Sequence, residues 1–356
     1  MSPIKVLLVE DSPIALTILQ KILATSSEIT VVGTASNGIE ALDLIPKLEP
    51  NVICTDLQMA KMDGLEFTKQ VMAKYPKPIL IISNSVQQSD TENIFELLQA
   101  GAVDVFPKPV GGQATEYEQV KQTLLNKIKI LSGVSVFTKP LKDQRHSSRT
   151  NNPGLIEATV QITSSAKISS RVQLITIGAS TGGPQALAKL LKPLPSDFPV
   201  PIICTQHISE GFLSGLVSWL GRECKLAVKI AERGEIPIPG TVYFAPEKHH
   251  LEIDTQGKFI YLDHPPVDGH RPSVTVTFKA VARHYSRGAV GILLTGMGKD
   301  GAEGTKAIAD VGGLTIVQDE STCVVFGMPK EAIALGAAQH ILPLSEITPF
   351  LLKKIF

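Results

Sequence analysis

The sequence predicts an α/β protein of two domains, each a mostly parallel sheet wound with helices. Apolar, β-rich runs alternate with helical patterns along nearly the whole chain. A polar stretch interrupts that alternation once, between about 133 and 170. The length of 356 residues also exceeds what one ordinary core serves, so two cores are expected. The division read from these features is 1–132, a linker at 133–170, and 171–356.

In the first part, strands are expected at Ile4–Val9, Ile29–Thr34, Asn51–Thr55, Pro78–Ile82 and Val103–Phe106. Helices are expected between and after them, at Ile14–Ala24, Ile39–Leu48, Leu65–Lys74, Asn93–Ala100 and Tyr117–Leu131. The linker is rich in Ser, Thr, Lys, Arg and Asn and has little periodicity, which reads as mobile, with a short element around Leu155–Ile162. A second strand–helix series begins at Val172. Its strands are expected at the VQLITIGAS run up to Ser180, at the PIICTQHI run, Ala289–Leu294 and Leu314–Gln318. Its helices are expected at Pro184–Leu191, Gly211–Leu220, Val274–His284, Ala302–Ala309, Glu331–Leu335 and Ile347–Lys354. Four shorter strands (Leu226–Ala231, Thr241–Ala245, His249–Ile253 and Phe259–Leu262) suggest a hairpin insertion in the middle.

Composition removes several function classes. Lys+Arg and Asp+Glu both number 34, so no net basic charge points to nucleic acid. No uncharged apolar run reaches the roughly 18 residues of a membrane span, and the N-terminus runs straight into a strand pattern rather than a signal peptide. Membrane insertion and nucleic-acid binding are therefore not expected. Cys54, Cys204, Cys224 and Cys323 are scattered, without metal-ligand spacing, and read as reduced thiols of a cytoplasmic protein.

The strand ends of the first part carry its chemistry. Glu10 and Asp11 end the first strand, Asp56 the third and Ser83 the fourth, and Lys108-Pro109 follow the fifth. In a sheet of order 2-1-3-4-5 the first and third strand ends are neighbours, so three carboxylates share one pocket. They repel and call for a counter-ion, and hard oxygen ligands with room for water suit Mg²⁺. An Asp beside such a cation can accept a phosphoryl group, with Ser83 and Lys108 meeting the new phosphate.

This constellation resembles the flavodoxin-like receiver domain of two-component response regulators over about residues 4–125. The resemblance implies phosphorylation of Asp56 by a histidine kinase. It also implies metal ligation by Asp11, Asp56 and the main-chain carbonyl of Gln58, with Glu10 acting through water. Two positions depart from the pattern: Glu10 stands where Asp is commoner, and Val105 stands where receivers often carry an aromatic switch residue, although Phe106 is adjacent.

In the second part, Gly178-Ala179-Ser180-Thr181-Gly182-Gly183-Pro184 lies between a strand and a helix. It reads either as GxSxG, a turn exposing a nucleophilic Ser180 beside free helix N–H groups, or as a phosphate-binding glycine loop. Neither the dinucleotide GxGxxG nor the Walker pattern fits it. A serine needs a base. His207 ends the next strand, and Asp300 follows the GILLTGMG strand; all three thus fall just past carboxyl strand ends, where a Ser–His–Asp relay can form. His249, His250, His264, His270 and His284 compete for the role of base, and Asp300 is also a good N-cap for the helix after it. The loop around Met297 can offer an N–H to an oxyanion.

Together GASTGGP, QHI, YFAPEKHH, HRPSV, LLTGMGKDGAEG and QDESTCVVFGMPKEAI resemble the effector domain of the bacterial chemotaxis protein-glutamate methylesterase/glutamine deamidase family, from about residue 170 onward. The resemblance implies Ser180 as nucleophile, His207 as base, Asp300 as its orienting acid, and Thr181 and Met297 at the oxyanion site. It implies chemoreceptors as substrates, and no cofactor in this second domain. Thr275 departs from it, an Asp being expected there, and the departure bears on substrate or domain contacts. A receiver joined to a DNA-binding effector is the rival architecture, but about 185 residues of alternating strands and helices are too long for a helix-turn-helix module.

Overall fold

The computed structural model describes residues 2–83, 88–109, 114–136 and 172–355. Residues 133–136 apart, the expected linker and its element at Leu155–Ile162 lie outside the described residues. The first part runs β1 (Ile4–Val9), α1 (Pro13–Leu23), β2 (Ile29–Ala35), α2 (Gly38–Leu48), β3 (Val52–Thr55), α3 (Gly64–Lys74), β4 (Ile79–Ser83), α4 (Gln88–Ala100), β5 (Asp104–Pro107) and α5 (Ala114–Leu131). Its five strands form one parallel sheet of order β2-β1-β3-β4-β5. The two strands in its interior on that side, β3 and β4, are buried throughout, as expected of a sheet covered by helices on both faces. Local chemistry starts the helices: the side chains of Ser12, Asn37 and Asp63 accept first-turn N–H groups of α1, α2 and α3.

The second part runs β6 (Leu174–Ala179), α6 (Gly183–Leu191), β7 (Ile202–Gln206), α7 (Leu213–Glu223), β8 (Ala227–Ile230), β9 (Thr241–Phe244), β10 (His250–Ile253) and β11 (Phe259–Leu262). It continues with α8 (Val274–Tyr285), β12 (Ala289–Leu293), α9 (Ala302–Asp310), β13 (Leu314–Gln318), α10 (Met328–Ala334), β14 (His340–Leu342) and α11 (Leu344–Ile355). Seven strands form a parallel sheet of order β14-β13-β12-β6-β7-β9-β8. The insertion is the antiparallel hairpin β10–β11. The two short strands before it, β8 and β9, extend the main sheet instead. Strand β14 was not expected: three residues at a sheet edge are too short to show a period of two.

The chain starts the second sheet at β6, builds outward through β7, then returns through β12 on the other side. The crevice beyond β6 and its two neighbours is thus a topological switch point, the place where open α/β sheets gather their functional groups.

The two parts pack against each other. Phe95 of α4 stacks on Trp219 of α7, with ring centroids 5.4 Å apart and planes 14° from parallel, both side chains buried. Gln185 of α6 donates its Nε2 to the carbonyl of Ala102 at 2.8 Å. Val324 packs against the apolar cluster that holds Phe106 and Leu124 of the first part. The contact face of the first part is thus α4, β5 and α5. Among the described residues no helix is long and apolar enough to cross a membrane.

Phe278 of α8 is fully buried in the second core, whereas Ile14 at the start of α1 is 74% exposed. Phe278→Ala should lower stability by about 3–5 kcal/mol through lost burial and a cavity, and Ile14→Ala by under about 0.5 kcal/mol. Urea midpoints of the two variants measure the contrast.

Candidate active site

Strand β6 delivers Ser180, and β7 delivers His207. Ala179 and Gln206 are register partners on these adjacent strands, and each candidate follows its partner by one residue. The two therefore lie about one inter-strand spacing, ~4.8 Å, apart along the backbone. The N–H of His207 donates to the carbonyl of Ala179 at 2.9 Å, and that of Ser180 to Thr295 at 3.0 Å. Gln206 spans the gap, its Nε2 donating to the carbonyls of both Ser180 and His207 at 2.8 Å. The chain then turns sharply into α6. Gly182, the N-cap of that helix, has φ 77° and makes no side-chain cap; the Gly183 N–H donates to the carbonyl of Ser180 at 2.8 Å, and Pro184 carries no N–H. Gly296 lies against the other side of Ser180: a Cβ there would fall 2.8 Å from the Ser180 Cβ, so only glycine lets the loop approach so closely.

Asp300 reaches the crevice from the loop after β12 and is fully buried. Its Oδ2 accepts from His207 Nε2 and from the N–H of Val274, both at 2.8 Å. Its Oδ1 accepts from the Ser273 hydroxyl at 2.8 Å and the N–H of Thr275 at 2.9 Å. The carboxylate thus caps α8, not the helix that follows it; α9 starts at Gly301 without a side-chain cap. Burial pushes the Asp300 carboxyl up, but the bonds from His207, Thr275 and Ser273 outweigh it and hold it well below the usual carboxylate range. An ionised carboxylate only accepts, so His207 Nε2 carries the proton, and the neutral ring leaves its lone pair on Nδ1. Among the described residues Nδ1 is buried and makes no hydrogen bond. The ring of His207 thus has one nitrogen anchored and the other open.

Thr275 is buried, and its hydroxyl accepts the Gly301 N–H at 2.7 Å, so it anchors the Asp300 loop. Of the competing histidines, His250 is used structurally: its Nδ1 accepts the Ser273 N–H at 3.2 Å, and its Nε2 meets the carbonyl of Pro265 at 3.1 Å. His249 pairs with Asp263 away from the crevice. His270 stacks on His207. The open cleft beside His207 is lined by His207 itself, Leu213, Glu247, Lys248, His270 and Arg271. Met297 adjoins Gly296 and is half-buried. Thr181 is buried, and its hydroxyl donates across the domain contact to Asp104 Oδ2 at 2.8 Å; Lys127 of α5 pairs with the same carboxylate.

Sequence reasoning passed over Gln206, Thr295, Ser273 and Asp104. Gln206 and Ser273 were detectable as polar residues within the quoted QHI and HRPSV motifs. Nothing short of the domain contact singles out Asp104.

In the first sheet, carboxylate oxygens of Glu10, Asp11 and Asp56 lie within 4.8 Å of one another, a donor set that fits a small hard cation. Lys108 Nζ lies 2.7 Å from Asp56 and 2.9 Å from Glu10. Burial raises the carboxyls of Glu10 and Asp56 despite that lysine, and burial opposes the Lys108 charge, yet its two carboxylate bonds raise it. Ser83 is buried at the end of β4, and its carbonyl accepts the Lys108 N–H at 3.0 Å. The neighbouring Gln58 follows β3 in the loop after Asp56. Val105 and Phe106 are both buried and sit in opposite cores. The four cysteines are free; burial pushes Cys54 up to about 12 and Cys224 to about 11.

The model of the CheB methylesterase family matches residues 175–351, and that of the response regulator receiver domain residues 6–116. A protein-glutamate methylesterase/protein-glutamine glutaminase of Nitrosospira multiformis is 39% identical over 347 residues, covering 97% of this chain and 95% of its own. One of Syntrophus aciditrophicus is 39% identical and covers 98% of each chain. Among solved structures, the Thermotoga maritima CheB methylesterase catalytic domain matches with TM-score 0.50 and 40% identity, over 52% of this chain and 99% of that one.

Asp300→Asn should cut turnover by on the order of 10³–10⁴, because the amide no longer specifies the tautomer of the histidine. It should also cost about 2–4 kcal/mol of stability. The depressed Asp300 carboxyl contributes stability in full above the ordinary aspartate value of 3.8, lost as pH falls below it toward the native value. Acid titrations of unfolding free energy should show a shallower fall in the variant.

Proposed function

The chain belongs to the CheB methylesterase family, with a response regulator receiver domain ahead of the esterase, and from that premise we propose a phosphorylation-activated protein-glutamate methylesterase acting through Ser180, His207 and Asp300. It is thus a hydrolase of the two-component chemotaxis type. The observation that carries the finer reading is His207 held on Asp300 through Nε2 with Nδ1 free, one strand spacing from Ser180.

In the proposed mechanism Ser180 Oγ attacks the carbonyl carbon of a glutamyl γ-methyl ester on a chemoreceptor, and His207 Nδ1 takes the serine proton. The imidazolium is stabilised by the Asp300 carboxylate. The oxyanion is met by main-chain N–H groups of the Met297 loop, with Thr181 beside it. His207 returns its proton to the leaving oxygen, and methanol departs. Water, deprotonated by the same ring, then cleaves the acyl-serine and leaves a glutamate carboxylate. The same steps on a γ-amide release ammonia, so glutamine deamidation is the second proposed activity.

In the receiver, Asp56 is proposed to accept the phosphoryl group from a histidine kinase. A Mg²⁺ would be held by Asp11, Asp56 and the Gln58 carbonyl, with Glu10 through water, and would neutralise phosphoryl oxygens. The ammonium of Lys108 and the Ser83 hydroxyl then turn from their present partners to the phosphate. Both lie at the ends of β4 and β5, and β5 carries Asp104. The docked receiver engages Thr181 through that residue, so a β5 shift loosens the contact and admits the receptor helix.

Methanol release from methylated receptor membranes tests the reading. Ser180→Ala should abolish it, and undiminished release would overturn the nucleophile. Asp56→Asn should leave basal activity in place and remove the response to a small phosphodonor. Asp104→Ala should raise the unphosphorylated rate about fivefold, the equivalent of one interface hydrogen bond of about 1 kcal/mol; an unchanged basal rate would sink the Asp104 contact as the restraint.

A further inference from the structure

The ring of His270 lies flat on that of His207, with centroids 3.7 Å apart and planes 8° from parallel. The segment carrying it is fastened at both ends to the loop of the acid. On one side Val267 and His270 exchange both backbone hydrogen bonds around Asp268 and Gly269, whose φ values of 50° and 83° make an Asp-Gly hairpin turn. The Asp268 carboxylate meets Lys299 Nζ at 3.3 Å, and Lys299 directly precedes Asp300. On the other side Ser273 donates its hydroxyl to Asp300 at 2.8 Å. His270 is thus suspended over the base between two ties to its acid.

One hydrogen bond does not define an imidazole. The contact at Nε2 fixes one atom, while the ring–side-chain torsion of histidine is broad, so the opposite nitrogen can swing. A flat partner against one face removes that freedom. We infer that His270 is a positioning residue, whose stacked ring holds His207 in the plane that presents Nδ1 to Ser180. The inference rests on His207 acting as the base.

The charges around the pair agree with that role. Burial chiefly pushes His270 down, to about 4, with His207 and Lys127 of α5 adding to the effect and Asp300 and Asp268 opposing it. The ring is therefore neutral at neutral pH. When His207 takes the serine proton, the new imidazolium faces an aromatic surface and not a second cation. His270 itself moves no proton.

The test compares the full chain with His270→Ala, His270→Phe and His207→Ala, by kcat, KM and the pH profile of methanol release, with thermal melts alongside. His270→Ala should lower kcat roughly 10- to 100-fold, the range expected when a reacting group drifts by about 1 Å. Its KM should change little. His270→Phe keeps the flat face, and should recover most of kcat and keep the shape of the parent's pH profile. If His270→Ala melts early, His270→Leu takes its place, filling volume without a planar face. The inference is overturned if kcat of the Ala or Leu variant stays within a factor of about two of the parent, or if the Phe variant is as slow as they are at an equal melting temperature. Undiminished activity in His207→Ala would instead overturn the assignment of the base, so the two failures are read from different variants.

Discussion

The buried carboxylate of Asp300 is the point on which the effector's geometry turns. It accepts four hydrogen bonds, from His207, Ser273, Val274 and Thr275. A bare carboxylate in an apolar interior would simply protonate. Here two main-chain donors at the start of α8 and a serine hydroxyl keep it charged, and the helix end adds a favourable field. The same bonds fix where α8 begins, where the β12 loop closes, and which nitrogen of His207 bears a proton. Stability and chemistry therefore share one group, and the local order of the Val267–Ser273 segment follows from its ties to Asp300 and Lys299.

Both halves of the chain solve the problem of assembling a site in the same way. A parallel sheet sends every strand end to one edge, so residues distant in sequence become neighbours without special loops. In the receiver this edge gathers carboxylates around Lys108; in the effector it gathers a hydroxyl, an imidazole and a carboxylate. Across the contact, β5 serves both: its far end leads into Lys108, and its first residue, Asp104, accepts the Thr181 hydroxyl. A buried aromatic stack between α4 and α7 and the Gln185 bond hold the halves in that register. Val105 and Phe106, successive residues of β5, are both buried and belong to opposite cores of the receiver.

Much of the fold was legible in the sequence because buried parallel strands leave unbroken apolar runs, and because Ser12, Asn37 and Asp63 announce helix starts with their own side chains. Strand β14 was not legible, being three residues long. Nor was the placement of β8 and β9, since short runs with turns between them look alike whether they pair with each other or with a distant strand. Ser180, His207 and Asp300 were findable as residues past strand ends, whereas Gln206 and Thr295, which brace them, look like ordinary polar strand termini.

The sequence by itself determined the two sheets, the residues at their functional edges and the family to which they point, since hydrophobic period and motif spacing are local properties. Only the tertiary structure decided that Asp300 caps α8 and not α9, that Thr275 anchors the Asp300 loop, that His270 stacks on His207, and that Asp104 reaches Thr181. Each of these is a contact between segments far apart in the chain. A donor and an acceptor tens of residues apart leave no pattern in sequence until packing brings them within 3 Å.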